Sequence, residues 1–430
     1  MKVLWVTNTP CSSVERNGRY VRDGNWMSSL EKAVRGDITL EIAYYTSGQE
    51  SEDFVYEGVK YYPIAPYLSG SYMMFRLRRL FSSYSGQDSR ILDRLEGIIL
   101  ESRPDIIHIH GIERCFGLIS EKLGGNGGYV TAGGTRIPVV ISIQGLMGET
   151  VKRYFRGISY KDVQKYESLR CRLLKQSPLT RYRQMLHQSE NEKRILGKAR
   201  YIIGRTDWDR IMTSYANPER EYFHVGEIMR SPFYTLGGRI PSAGILRLAS
   251  TVSGGIYKGF EFLLKVAAEL TSRHIAFSWM VIGYTSSTEA VSISEKSTGL
   301  HSSDLCIRFT GMLDAEGIVR ELSQTDIYCQ VSHIENSPNS LCEAMLQGLP
   351  CIATDVGGTS TIAGNGELAI LVPDDDPKTY ADVIINLAED SSRCRELGEA
   401  AREAALVRHD PEKIKSQLLH TYSEIISRSI

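Results

Sequence analysis

The chain alternates short apolar runs with amphipathic stretches, and it does so in two successive series. The apolar runs predict strands at 2–7, 40–45, 105–110, 139–143 and 201–204, and then at 245–250, 277–283, 306–311, 326–331, 350–355 and 369–372. The amphipathic stretches predict helices at 25–34, 89–101, 259–270, 315–322, 340–347, 377–388 and 411–425. This alternation predicts an α/β architecture, and strands that are apolar throughout predict parallel sheets covered on both faces.

The length of 430 residues suits two domains rather than one core. A segment rich in Gly, Pro and Ser at 231–244 separates the two series and predicts an interdomain linker. We therefore expect an N-terminal Rossmann-like domain at 1–235, a second Rossmann-like domain at 240–408 and a C-terminal helix within 409–430.

Composition excludes several other classes of protein. A net charge of -1 argues against nucleic-acid binding through a basic surface. No apolar run approaches the roughly 18–20 residues that span a bilayer. The 8 cysteines are scattered without a C-x-x-C pair or zinc spacing, which predicts buried thiols in a reducing cytoplasm and no metal site.

The stretch 151–183 differs from the rest of the chain, since it holds ten Lys and Arg against Asp162 and Glu167, with five interleaved aromatic residues. We take it as part of a helical insertion, at about 151–190, in the first domain. Such a segment suits contact with an anionic membrane surface, here the inner face of the membrane, or with a phosphate-bearing acceptor. The alternative is a pair of solvated helices on the N-terminal domain.

The most informative segment runs from Val331 to Gly358. A buried strand leads into a polar loop at 332–339, and a helix follows at 340–347. Ligands of open α/β sheets collect at the carboxyl ends of strands, and a helix N-terminus offers N–H groups to an anion. A diphosphate is therefore expected over Asn339, Ser340 and Leu341.

Two carboxylates, Glu335 and Glu343, occur in this segment. Each has an ordinary structural interpretation. Ser340-x-x-Glu343 has the spacing of a capping box, in which the carboxylate reaches back to a backbone N–H. Glu335 has the character of a solvated loop residue. Spacing alone leaves these alternatives open.

The same segment resembles the donor signature of the retaining GT-B glycosyltransferases of family 4, the group 1 glycosyltransferases. The order of residues that carries the resemblance is Glu335, Glu343, Ala344, Met345, Gly348, Pro350, Gly357 and Gly358. The resemblance implies the GT-B fold, two Rossmann-like domains facing each other across a cleft. It further implies that Glu343 holds the nucleotide ribose and that Glu335 faces the donor sugar or its leaving group.

A second element follows the first strand of the second domain, where Gly254 and Gly255 allow a close backbone approach to a ligand. The resemblance places Lys258 at the family's Lys-Gly position, where the lysine neutralises the departing diphosphate. The alternative is a solvated lysine at a helix start. Many family members also have an arginine six residues earlier, where this chain has Val252. Arg205 and Arg230 are candidates for the missing charge, and backbone amides of a loop are the alternative.

The first domain is expected to bind the acceptor. Gly24 follows the loop after the first strand, His110 ends the strand 105–110, and Gln144 follows the strand 139–143. Many family members have histidine where this chain has Gln144, so we assign Gln144 to sugar binding rather than proton transfer. The alternative for His110 is a hydrogen-bonded structural histidine.

The resemblance implies a transferase that moves a sugar from a nucleotide-diphosphate sugar to a glycan or lipid-linked acceptor with retention of configuration, in polysaccharide or glycoconjugate biosynthesis. No cofactor or metal is expected, because Lys258 and a helix N-terminus supply positive charge. Two alternatives stay open at this point, namely a nucleotide-sugar epimerase of the same architecture and a non-catalytic binding subunit.

Overall fold

The computed structural model describes residues 1–17, 26–47, 52–66, 83–236 and 244–429. These residues form two compact units, of which the first comprises Met1–Gly148, Gln184–Ile228 and His409–Ile430 and the second Glu149–Arg183 and Met229–Arg408. Gly24 and the linker residues 237–243 lie outside the described residues.

The first unit is built on a largely parallel sheet. Its strands are β1 (Lys2–Thr7), β2 (Thr39–Tyr45), β3 (Phe54–Tyr56), β4 (Val59–Ile64), β5 (Ile106–His110), β6 (Tyr129–Ala132), β7 (Thr135–Ser142), β8 (Tyr201–Gly204) and β9 (Glu221–His224). Their order is β3-β4-β2-β1-β5-β7-β8-β9, with β6 beside β7. Among the described strands, the antiparallel pairs are β3 with β4 and β6 with β7.

The second unit contains a parallel sheet of six strands. They are β10 (Leu246–Thr251), β11 (Phe277–Ile282), β12 (Ile307–Gly311), β13 (Ile327–Gln330), β14 (Cys351–Thr354) and β15 (Ile370–Val372). Their order is β12-β11-β10-β13-β14-β15. This is the Rossmann arrangement, in which the strand order reverses between the first and fourth strands.

Helices connect these strands. The α-helices are α1 (Trp26–Val34), α2 (Tyr84–Ser102), α3 (Ile119–Lys122), α4 (Met147–Arg153), α5 (Tyr160–Tyr166), α6 (Leu169–Leu173), α7 (Pro178–Leu196), α8 (Asp207–Ala216), α9 (Phe260–Ser272), α10 (Glu289–Thr298), α11 (Ala315–Ser323), α12 (Asn339–Leu346), α13 (Thr359–Ile362), α14 (Pro377–Glu389), α15 (Ser391–Arg408) and α16 (Pro411–Ser427). Short 3₁₀ turns lie at Cys11–Asn17, Cys115–Leu118, Ser231–Tyr234, Ile256–Lys258, Ser302–Asp304 and Gly364–Gly366.

Burial on both faces of the first sheet explains why its strands are continuously apolar. Alternate side chains of a strand point to opposite faces. Accordingly Leu4 and Val6 join one core cluster, whereas Val3 and Trp5 join another.

The last helix, α16, covers one face of this sheet within the first unit. Its buried residues Ile414, Leu418, Tyr422 and Ile425 repeat at helical spacing and belong to the same core cluster as Trp5. The Tyr422 hydroxyl accepts a hydrogen bond of 2.9 Å from Trp5 Nε1.

The stretch 151–183, called the basic segment from here on, does not lie in the unit that its place in the sequence predicts. Residues 149–183 pack with the second unit rather than with the first, and the chain returns to the first unit at Gln184. Helix α5 packs against α10, and Arg156 forms an ion pair of 2.6 Å with Asp375. Assignment of the whole insertion to the N-terminal domain was therefore wrong, because order along the chain does not determine which surface an insertion covers.

None of the helices in the described parts of the chain combines the length and apolar character needed to cross a bilayer.

Candidate functional site

The reversal of strand order in the second sheet lies between β10 and β13, which are direct neighbours. In open α/β sheets the loops at the carboxyl ends of two such strands form a ligand crevice. Lys258 lies in the loop after β10 and Glu335 in the loop after β13. Topology alone thus brings these two predicted residues together.

Lys258 and Glu335 form a close ion pair. Lys258 Nζ donates to Glu335 Oε1 at 2.6 Å, and the two side chains are 24% and 15% exposed. Burial alone would lower the pKa of Lys258, but the adjacent Glu335 carboxylate outweighs it and raises that pKa. Lys258 therefore carries its charge at neutral pH. Neither residue is the freely solvated side chain that the alternative interpretations required.

Two glycines set the backbone on either side of this pair. Gly259, with φ of 75°, lies so close to Val331 that an added Cβ would be 1.9 Å from the Val331 carbonyl oxygen. At Gly357, which has φ of 55°, an added Cβ would lie 1.9 Å from the carbonyl oxygen of Glu335. The adjacent Gly358 N–H donates to that oxygen at 3.0 Å. Glycine is needed at both positions so that the loops after β10, β13 and β14 can approach one another.

The two glycines before Lys258 differ in role. Gly254 has φ of 105°, a conformation that favours glycine, and an added Cβ there would meet nothing within 4 Å. That position accordingly has open space for a ligand. At Gly255, which has φ of -90°, the ring of Tyr257 lies 2.4 Å from where a Cβ would stand. Packing against Tyr257 therefore accounts for the second glycine.

The N-terminus of α12 lies next to the ion pair in sequence, since α12 begins at Asn339 after N-cap Pro338. The Leu341 N–H donates to the Pro338 carbonyl at 2.9 Å. Helix geometry leaves the first N–H groups, those of Asn339 and Ser340, without an intrahelical acceptor. These two are the stronger candidates for binding an anion.

Glu343 is paired with arginine rather than acting as a cap. The N-cap is Pro338 with no side-chain cap bond, so Glu343 is not at the third helical position and the capping-box interpretation is wrong. Instead Arg230 donates twice to Glu343 Oε1, from Nε at 2.9 Å and from Nη2 at 2.7 Å. Burial raises the pKa of Glu343, and the charge of Arg230 opposes that rise.

The two arginines considered as a second positive charge lie in different units. Arg230 belongs to the second unit and is bound to Glu343. Arg205 belongs to the first unit, where Nε lies 3.6 Å from Glu227 and the guanidinium lies 4.0 Å from the centre of the Trp26 ring. Of these two arginines, Arg230 is therefore the one that lies in the second unit beside a predicted donor residue.

A buried group that the sequence did not reveal lies two residues before Glu335. His333 contacts Glu261 Oε1 through Nε2 at 2.6 Å and Asp374 Oδ2 through Nδ1 at 2.8 Å. The three residues come from separate parts of the chain, so no sequence spacing marks them. The one available signal was a histidine inside the motif segment, between Val331 and Glu335.

In the first unit, His110 and Gln144 lie at the carboxyl ends of two neighbouring strands, β5 and β7. His110 is the last residue of β5 and pairs in register with Ser142, two residues before Gln144. His110 is 1% exposed, and no described residue accepts from or donates to either ring nitrogen. Burial lowers the pKa of His110 well below its ordinary value, which keeps the ring neutral.

His108, rather than His110, has the contacts of a structural histidine. Its Nε2 contacts Ser142 Oγ at 2.6 Å and its Nδ1 contacts the Tyr422 hydroxyl at 2.5 Å. The alternative that His110 is satisfied by protein partners therefore fails within the described residues. Gln144 is half-buried, and its Nε2 lies 3.9 Å from Met27 Sδ.

Comparison with known proteins finds similarity in the part of the chain that contains this site. Residues 247–390 match the family model described as glycosyl transferases group 1. The N-acetyl-alpha-D-glucosaminyl L-malate synthase of Bacillus anthracis is 33% identical over 127 residues, which are 30% of this chain and 32% of that protein. The similarity thus spans about a third of the length of that relative.

Solved structures match the chain over nearly its whole length. Sucrose-phosphate synthase from Thermosynechococcus elongatus covers 100% of both chains with a TM-score of 0.71 and 14% identity. Anabaena Alr3699/HepE in complex with UDP-glucose covers 99% of this chain and 100% of its own, with a TM-score of 0.63 and 13% identity. At such identities the likeness shows the fold, and it confirms the predicted pair of Rossmann-like domains. The chain has the GT-B fold, and its residues 247–390 match the family model of the group 1 glycosyl transferases.

Proposed function

We propose that this protein transfers a sugar from a nucleotide-diphosphate sugar to an acceptor. The observation that carries the proposal is the Lys258–Glu335 pair, which the loops after two neighbouring strands bring together. The loop that holds Glu335 leads directly into α12. The match of residues 247–390 to the family model of the group 1 glycosyl transferases supports the proposal, and so does the likeness in fold to a protein solved with UDP-glucose.

In this proposal Lys258 binds the diphosphate and stabilises the negative charge that develops as the bond to the sugar breaks. Groups aimed at developing charge give large rate effects in sites of reduced water access. The Lys258 side chain is only 24% exposed, which strengthens its field. Gly254 leaves space for the donor, and Asn339 and Ser340 add backbone N–H groups at the diphosphate.

Glu335 and Glu343 are assigned to the sugar and the ribose, respectively. Glu335 already accepts from Lys258 through Oε1, so the pair holds a carboxylate next to the group that binds the diphosphate. Arg230 fixes Glu343 through Oε1, and we assign Oε2 to the ribose hydroxyls. Carboxylates suit this task because each oxygen accepts more than one hydrogen bond.

We propose that the anomeric configuration is retained and that the departing phosphate helps to deprotonate the acceptor. The first unit binds the acceptor, a glycan or lipid-linked molecule, through His110 and Gln144. A buried neutral imidazole without protein partners among the described residues suits a hydrogen bond to a hydroxyl group. No metal or cofactor enters this scheme, since Lys258 and the α12 N-terminus supply the positive field.

A contact with the inner face of a membrane is proposed for part of the basic segment. Leu169 and Leu173 on α6 are 69% and 68% exposed, and Arg170 and Lys175 beside them are exposed as well. Exposed leucines flanked by cations suit the interface of an anionic bilayer.

The test is release of nucleotide from a panel of UDP-, GDP- and ADP-sugars, with and without candidate acceptors. We expect release of one nucleoside diphosphate that increases with acceptor concentration. Glu335→Gln is expected to lower the rate strongly, whereas Glu367→Gln, a change at an exposed glutamate of the same unit, should leave it unchanged. An epimerase would convert the donor sugar without an acceptor, and a binding subunit would release no nucleotide; either outcome overturns the proposal.

A further inference from the structure

A buried cluster of Glu261, His333 and Asp374 lies beside the proposed catalytic pair. The three residues are 0%, 1% and 8% exposed. Each carboxylate contacts one ring nitrogen of His333, at 2.6 and 2.8 Å. A neutral imidazole carries only one N–H, so two carboxylate acceptors favour the doubly protonated ring.

The backbone of His333 connects this cluster directly to Lys258 and Glu335. The His333 N–H donates to the carbonyl of Tyr257, the residue before Lys258, at 2.9 Å. Glu335 follows His333 by two residues on the same loop. The position of the His333 backbone therefore affects both members of the ion pair. Its side chain instead contacts Glu261 and Asp374.

Residues 149–183 close the other side of the cluster. Arg153 Nη1 lies 3.3 Å and Arg156 Nε 3.4 Å from Asp374 Oδ2. Gly157, with φ of 80°, packs so tightly that an added Cβ would stand 1.9 Å from Glu261 Oε1 and 3.0 Å from His333 Nε2. The rings of Tyr154 and Tyr257 are also in contact, with centroids 5.7 Å apart.

We propose that His333 is a positioning residue that holds the Lys258–Glu335 pair in place, and that residues 149–183 complete its support. The inference rests on the proposed function, because it gives that same site a further residue. It also gives two of the ten basic residues of the segment, Arg153 and Arg156, a role inside the protein. His333 itself contacts no reacting group, since it is enclosed by protein.

The charge on His333 is set by the groups that face it. These are Glu261 on α9 and Asp374 after β15. Arg153 and Arg156 contact the same Asp374 oxygen as His333, and the Phe262 ring lies 6.3 Å from the imidazole. Burial alone would lower the pKa of His333, but the hydrogen bonds to Asp374 and Glu261 outweigh it and raise that pKa to about 9. The doubly protonated ring, which donates to both carboxylates, is therefore present at neutral pH. It loses a proton as the pH rises through about 9.

A Glu261→Gln variant tests this role through its pH profile. The amide keeps the size of the side chain but removes one negative charge, so the pKa of His333 should fall, by about one unit or more. We expect kcat to decline at correspondingly lower pH than in the wild type, with a smaller change in KM. The titration of Lys258 does not obscure this decline, since its pKa is raised above an already high ordinary value. An unchanged alkaline limb in a folded variant overturns the proposal.

A second readout needs no activity. Lys258 is ion-paired and partly buried, so its acetylation by an N-hydroxysuccinimide ester, followed by peptide mass spectrometry, reports whether the pair is held. Gly157→Ala should increase Lys258 labelling several-fold, because its Cβ would displace Glu261 and His333. Gly134→Ala is the matched control, since Gly134 has φ of 81° and open space at its Cβ position.

The two readouts separate failure of this inference from failure of the proposed function. Unchanged Lys258 labelling in Gly157→Ala overturns the positioning role even if the protein proves to be a transferase. Absence of nucleotide release from the wild type overturns the transferase proposal, and the labelling result then still decides whether His333 holds the pair.

Discussion

Lys258→Met should lower kcat for nucleotide release by about 100- to 1000-fold, the loss on the order of that seen when one donor to a developing negative charge is removed. The physical reason is that Lys258 is the charged group that the loop after β10 places next to Glu335, at 2.6 Å. Methionine keeps a similar length of side chain and removes the charge. The measurement is the steady-state rate of nucleotide release from the donor that the panel of UDP-, GDP- and ADP-sugars identifies.

Two further variants make this result interpretable. Lys296→Met removes an exposed lysine from α10 in the same unit and should leave kcat unchanged. The double variant Lys258→Met with Glu335→Gln avoids leaving a partly buried carboxylate unpaired, and it should be as inactive as the single variant. Near-wild-type activity in folded Lys258→Met would remove the assigned role.

Arg230→Met should destabilise the protein by about 3 kcal/mol, at the lower end of the range for breaking a buried ion pair. Arg230 and Glu343 are 17% and 9% exposed, so the remaining carboxylate would be left largely without water or partner. Since burial already raises the pKa of Glu343, uptake of a proton limits the loss, and the effect should be larger at pH 8 than at pH 6. Thermal melting measures it, with an expected fall of roughly 6–12 °C.

Comparison variants separate this buried pair from ion pairs in general. Arg308→Met breaks the ion pair of Arg308 with Glu321, in which the two side chains are 55% and 24% exposed. This change should lower the free energy of unfolding by less than about 1 kcal/mol. Arg230→Met combined with Glu343→Leu should recover much of the lost stability, because no charge then stays buried. Equal melting temperatures for Arg230→Met and the wild type would mean that the pair does not anchor Glu343.

Much of the fold followed from the sequence because its physical causes are local. Buried parallel strands need apolar residues on both faces, and such runs predicted β1, β8 and β11 within one residue at each end. The short strands β3 and β9 were missed, since Phe54–Tyr56 and Glu221–His224 are only partly buried and lack a continuous apolar run.

The motif segment predicted which loop carries the site but not the partners of its residues. Glu343 has the spacing of a capping box, and only the tertiary approach of Arg230 shows that it is held differently. Glu261, His333 and Asp374 are joined across 72 and 41 residues. Contacts at such separations depend on packing, which periodicity and local spacing do not encode.

Hydrogen–deuterium exchange with and without nucleoside diphosphate tests most directly that the loops after β10 and β13 form the donor site. UDP, GDP and ADP should each be compared at saturating concentration, with peptides covering both units. We predict that one of these nucleotides slows exchange in peptides from 254–259 and 335–341, and that it changes exchange there little in Lys258→Met. Tight binding of a nucleotide with no protection of these two segments would contradict it.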